Sequence, residues 1–111
     1  MSRPLVIVES PYAGDIARNL RYLKRAIIDC VLRDEVPFAS HALFTTVLDD
    51  TKQHERALGI ELGFALWPLA SKIVFYTDYG FSMGMQDAWE KATNDPQLQA
   101  TIEVRNIGMN P

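Results

Sequence analysis

At 111 residues, 48% hydrophobic and 23% charged with a formal net charge of -3, the chain has material for one compact domain and not for two. The only cysteine, Cys30, excludes an internal disulfide and a thiolate pair for a metal, so neither a metal site nor another cofactor is expected. No apolar run reaches the roughly 18 residues of a membrane span, and the opening Met-Ser-Arg-Pro lacks a secretory cleavage region, so the expectation is a soluble, cytoplasmic protein.

Charge is divided along the chain: residues 1–33 carry six basic and three acidic groups, the remainder five basic and eleven acidic. The cations of the first part are interleaved with Asp15 and Asp29 around a helix, the pattern of a solvated face, so no nucleic-acid partner is expected.

Leu5-Val6-Ile7-Val8 is a continuous β-branched run of the kind buried on both faces of a parallel sheet. Asp15 is placed to cap a following helix, in which Ile16, Leu20, Leu23, Ile27 and Val31 recur at helical spacing until the neighbourhood of Asp34. Val36 to Ser40 reads as a short second strand, with Pro37 at its start or on an edge, followed by His41 and a Thr-rich stretch. Asp49-Asp50-Thr51 precedes a capped helix over Lys52 to Trp67 with an apolar stripe of Leu58, Leu62, Ala65 and Leu66, ended by Pro68. Ser71 to Thr77 is a third strand. A turn-rich loop, Asp78 to Met85, then leads into a helix over Gln86 to Thr93, and Ala100 to Ile107 alternates as a fourth strand. The order βαβαβαβ specifies an α/β three-layer sandwich, flavodoxin-like or Rossmann-like, with a mostly parallel sheet of four or five strands.

In such sheets a ligand binds beyond the carboxyl ends of the strands, where the strand order reverses. That rule selects the loop Glu9 to Gly14, with Ser10, Pro11, Tyr12 and Gly14, and the loop Asp78 to Met85, with Tyr79, Ser82, Gly84 and Met85. Each runs into a helix N-terminus, whose free amides suit a phosphate or carboxylate. Plain turn and capping chemistry uses the same residue types. Tyr79 and Phe81 sit where they can stack on a planar ligand, whereas Trp67, Trp89 and Phe75 fit core positions. Glu61 falls about 300° round the helix from Leu58, at the edge of the apolar stripe, and is expected to be partly buried as an acid, a base or half of an ion pair. His41, just past the second strand, is a candidate acid, base or donor, or a satisfied structural histidine.

Four segments together carry a resemblance: Glu9-Ser10-Pro11-Tyr12-Ala13-Gly14, Val36 to His41, Glu55 to Gly63, and Tyr79 to Met85. Over almost its whole length the chain resembles small phage and bacterial proteins related to the nucleoside 2-deoxyribosyltransferase superfamily. The resemblance implies a flavodoxin-like fold, a homodimer or larger homo-oligomer, and a nucleoside or nucleotide ligand whose base–sugar bond is cut by a carboxylate. It also implies that Tyr12 positions the nucleophile and that Ser82-Met83-Gly84 holds sugar or phosphate. The nucleophilic Glu of the superfamily follows that Gly by four residues, and here the position is Ala88, with Asp87 one residue away. In a second register Gly59 to Ala65 matches the catalytic helix and Glu61 becomes the nucleophile; in the first, Glu61 falls near the superfamily's second acid. The expected catalytic set is therefore Glu61 and Tyr12 with Asp78 or His41 as acid, and the C-terminal segment Asn106 to Pro111 is expected to reach a neighbouring subunit's site. The alternative, resting on Ala88, is a protein that captures a nucleotide or nucleotide-derived signal without turnover.

Overall fold

A computed structural model describes residues 2–109. Its core is a four-stranded, all-parallel sheet in the order β2-β1-β3-β4, from β1 (Leu5–Glu9), β2 (Val36–Phe38), β3 (Lys72–Tyr76) and β4 (Thr101–Arg105). The central pair is aligned so that Val6 lies opposite Lys72 and Glu9 opposite Phe75. Because side chains alternate along a strand, Val6, Val8, Val74 and Tyr76 face one side, and Ile7, Ile73 and Phe75 the other. Both sets are completely buried, which is why these strands read as unbroken apolar runs.

One face is covered by α1 (Ile16–Leu32) through Tyr22, Leu23, Ala26 and Cys30. The other is covered by α4 (Met83–Thr93) through Met85, Ala88 and Ala92, with Trp67 and the end of α3 (Gln53–Phe64) joining it. The expected three-layer α/β sandwich with a parallel sheet is thus the fold of the chain. Between β2 and α3 the chain makes a short helix, α2 (Ser40–Leu43), and a 3-10 turn at Phe44–Thr46, where the sequence suggests only an irregular stretch.

Two helices are rotated relative to the stripes read from their sequences. On α1 the Asp15 cap is present, its carboxylate accepting from Arg18 N at 3.1 Å, but Ile16, Leu20 and Val31 stand 42–56% exposed. The face that meets the sheet is Tyr22, Leu23, Ala26 and Cys30, so that of the expected stripe Leu23 is buried and Ile27 packs on the core, while the other aliphatics lie on the flank. On α3, Leu58, Leu62 and Ala65 are exposed, while Gly63 is buried against α2. A Cβ on Gly63 would lie 2.6 Å from Ser40 Oγ, so the missing side chain sets how closely α3 docks. The expected side-chain cap at Asp49 to Thr51 is also absent: Asp49 accepts from Thr51 instead, and Lys52 precedes the helix without a capping bond. Ser82 caps α4 by accepting from Met85 N at 3.2 Å, starting that helix three residues before its expected beginning.

No helix among the described residues is long and apolar enough to cross a membrane.

Candidate functional site

The chain leaves β1 toward β2 on one side and β3 toward β4 on the other, so the strand order reverses between β1 and β3. At the carboxyl ends of these strands lies a cavity of about 520 Å³, within the range of small-molecule sites. Its floor is the end of β1, Glu9 and Ser10, and the loop through Tyr12 to Gly14. Asn19 fixes that loop by donating to the carbonyls of Tyr12 and Ala13, both at 3.0 Å. Gly14 supplies a φ of +95° at the turn into α1. One wall is α2 and the turn after it, with His41, Phe44 and Thr45; a second is α3, with Arg56, Gly59, Ile60 and Phe64; the third is the first turn of α4, with Ser82, Gly84, Met85, Asp87 and Ala88.

The floor holds a linked polar pair. Ser10, 5% exposed, has its Oγ 2.8 Å from His41 Nε2. Burial pushes the His41 imidazole down to about 4, so the ring is neutral at physiological pH. Next to it, Glu9 lines the cavity, and burial pushes its carboxyl up to about 8. Among the described residues no donor or cation reaches that carboxyl. Among the described residues Arg56 is the one strong base that lines the cavity, and it pairs with Asp50 at 3.9 Å. Among the described residues no group of three His, Cys, Asp or Glu side chains is arranged to hold a metal ion.

Of the residues singled out from sequence, the structure brings Ser10, Tyr12, Gly14, His41, Ser82, Gly84 and Met85 together around this cavity. Five others lie elsewhere. Glu61 is exposed on the outer side of α3, two residues and about 200° round the helix from cavity-lining Gly59. Its displacement follows from the rotation of α3 onto Gly63. Asp78 points away from the cavity and is fully engaged: Tyr22 OH donates to it at 2.6 Å, and the backbone amides of Ile107, Gly108 and Met109 donate at 2.9, 2.8 and 2.9 Å. These donors hold its carboxyl below the usual range, so it has no proton to give. The same bonds tie residues 107–109 to their own chain; Asn110 and Pro111, the rest of the segment expected to reach a neighbour, lie outside the described residues. Tyr79 packs against Tyr22 with ring centroids 4.5 Å apart, beneath the Arg18 guanidinium at 4.2 Å, and Pro11 is buried behind the loop. Phe81, too, is taken up by protein, stacking on Phe75 at 5.7 Å.

Glu9 is the site residue that sequence reasoning passed over. The signal was present: a carboxylate ends the apolar run of the central strand, where a sheet of this type puts its ligand.

Residues 4–103 match the family described as "Domain of unknown function (DUF7768)". The chain belongs to this family. No curated protein and no solved structure matches the chain.

Proposed function

We propose that the cavity takes a nucleoside or nucleotide and acts on its base–sugar bond, by transfer of the sugar or by hydrolysis. The observation that carries the reading is the meeting, in one cavity at the switch point, of a capped helix N-terminus with two carboxyl groups, Glu9 and Asp87, that have no partner among the described residues. Cleaving an N-glycosidic bond asks for these parts: a negative group facing the cation that develops on the sugar, and an acid for the departing base, as in O-glycoside cleavage. The α4 amides and Ser82 suit a sugar hydroxyl or a phosphate. Tyr12 borders the same space. The resemblance to the nucleoside 2-deoxyribosyltransferase superfamily points the same way.

A second reading is favoured by one specific observation: Ala88, at the position of the superfamily's nucleophile, lines the cavity with a methyl group. In that reading the protein binds a nucleotide or nucleotide-derived signal without turnover. Thermal shifts with nucleosides, 5'-monophosphates and ADP-ribose-like compounds, followed by chromatography for free base, separate the two. Shifts with base release support the enzyme, and shifts without it support the binder. We further take the protein to be a cytoplasmic homo-oligomer; the exposed Ile16, Leu20 and Val31 along one side of α1 support self-association.

A further inference from the structure

We propose that Glu9 is the proton donor to the departing base, a role that rests on the glycosidic reading of the cavity. Its position is the first argument. Glu9 is the last residue of β1, and the three residues before it are completely buried, so its carboxyl emerges from the apolar core at the cavity floor. Its lack of partners is the second. Glu55 accepts from Asp49 N at 3.0 Å and pairs with Lys52 at 3.7 Å, and Asp50 pairs with Arg56 at 3.9 Å. Glu9 has no such bond among the described residues, so its hydrogen-bonding capacity is available to whatever enters. Charge is the third. The titratable or charged groups bordering the cavity from the other elements are Tyr12, His41, Asp50, Glu55, Arg56 and Asp87. His41 is neutral and Arg56 is engaged by Asp50, so among the described residues no free cation borders the cavity to hold Glu9 ionised.

The carboxyl, raised to about 8 by burial, therefore keeps its proton at neutral pH and yet releases it at little cost, the balance a general acid needs. In the step, the Glu9 carboxyl proton passes to a ring nitrogen of the base. The bond from C1' to the base breaks, and its electron pair stays on the base. The sugar cation, faced by Asp87, is captured by water, whose proton returns to the Glu9 carboxylate and restores the neutral acid. An ionised Glu9 would suit attack on the sugar; a proton-bearing one suits the departing base.

The test compares Glu9→Gln with the wild type on a purine deoxynucleoside and on its N7-methylated form, whose base departs without needing a proton. Glu9→Gln replaces one neutral, uncharged-pair-free group by another of the same shape, and circular dichroism verifies its fold. The expected result is a loss of about 10²–10⁴-fold on the unmodified nucleoside and a loss at least tenfold smaller on the methylated one. The wild-type rate on the unmodified nucleoside should also fall as pH rises through about 8, and the methylated one should not follow it. Equal losses on both substrates, or none on either, overturn the donor role while leaving the glycosidic reading in place. Wild-type protein that releases no base from either substrate removes the glycosidic reading and the donor role together.

Discussion

Ser10 Oγ lies 2.8 Å from His41 Nε2, and this bond fastens the end of β1 to α2 across the cavity floor. It satisfies a hydroxyl that the fold has almost sealed from water. His41→Ala should cost about 1–3 kcal/mol at pH 7.5, because Ser10 is then buried without a partner. The folded imidazole titrates near 4 and the unfolded one near 6.5, so its contribution is complete above pH 6.5 and lost as pH falls toward 4. Urea unfolding of both proteins at pH 7.5 and 4.5 should show the difference shrinking at the lower pH; a constant difference would mean that His41 is not held neutral.

The opposite sign applies to Glu9. Its folded carboxyl titrates near 8 and an ordinary one at 4.5, so the unfolded chain releases a proton that the folded protein retains throughout that interval. Stability is therefore lost as pH rises from 4.5 to 8. Glu9→Gln, neutral in both states, should gain on the wild type over this window, by about 4 kcal/mol at pH 8. Melting temperatures at pH 5 and pH 8 measure it, and an equal gap at both would contradict a protonated Glu9.

Glu35 and Arg105 form a second, purely structural charge site on the face of the sheet covered by α1. Arg105 donates from Nη1 and Nη2 to the two carboxylate oxygens of Glu35 at 2.8 and 2.7 Å, and both side chains are 4% exposed. Arg105 holds the Glu35 carboxyl below its usual range. Glu35→Gln should destabilise by about 3–5 kcal/mol, since it leaves Arg105 buried with only Glu103 for a counterion. In the wild type this contribution is present above the ordinary carboxylate range and disappears as pH falls through the depressed folded value. Denaturant unfolding between pH 7 and 3 measures both effects, and a near-wild-type midpoint at pH 7 would rule out the assigned weight.

Much of the architecture was legible because β1, β3 and the Asp15 cap obey short-range rules. The apolar runs Leu5 to Val8 and Ile73 to Tyr76 can be satisfied only between two covering layers. The helix faces were harder to read. Helical spacing identifies bulky aliphatic residues, but the buried face of α1 joins Leu23 to the aromatic Tyr22 and the small Ala26 and Cys30, and α3 docks on α2 through Gly63, where closeness of approach outweighs side-chain size. Glu61 was drawn into the candidate site by that error, since its place on the wheel was measured from Leu58. Asp78 was misjudged for a different reason: its partners are backbone amides about 30 residues away, which no local pattern discloses.

Gly63 makes the helix docking testable. Gly63→Ala puts a methyl 2.6 Å from Ser40 Oγ and 2.9 Å from Ser40 Cβ, so α3 must move away from α2. A cost of about 1–3 kcal/mol is expected. Ser40→Gly in the same chain should recover most of it, and a double variant no better than Gly63→Ala would show that the two residues do not meet.

The most direct measurement is ligand binding with the cavity open and then filled. Gly84 lines the cavity on α4, has an ordinary helical backbone, and offers open space to a side chain. Gly84→Leu should therefore fold as well as the wild type or better, since leucine favours a helix over glycine by about 0.8 kcal/mol. Thermal shift with nucleosides and 5'-monophosphates should raise the melting temperature of the wild type, by the equivalent of about 2.7 kcal/mol at 100 times the Kd, and leave Gly84→Leu unchanged. Equal shifts in both proteins, or no shift of the wild type by any nucleoside or nucleotide, would contradict the account.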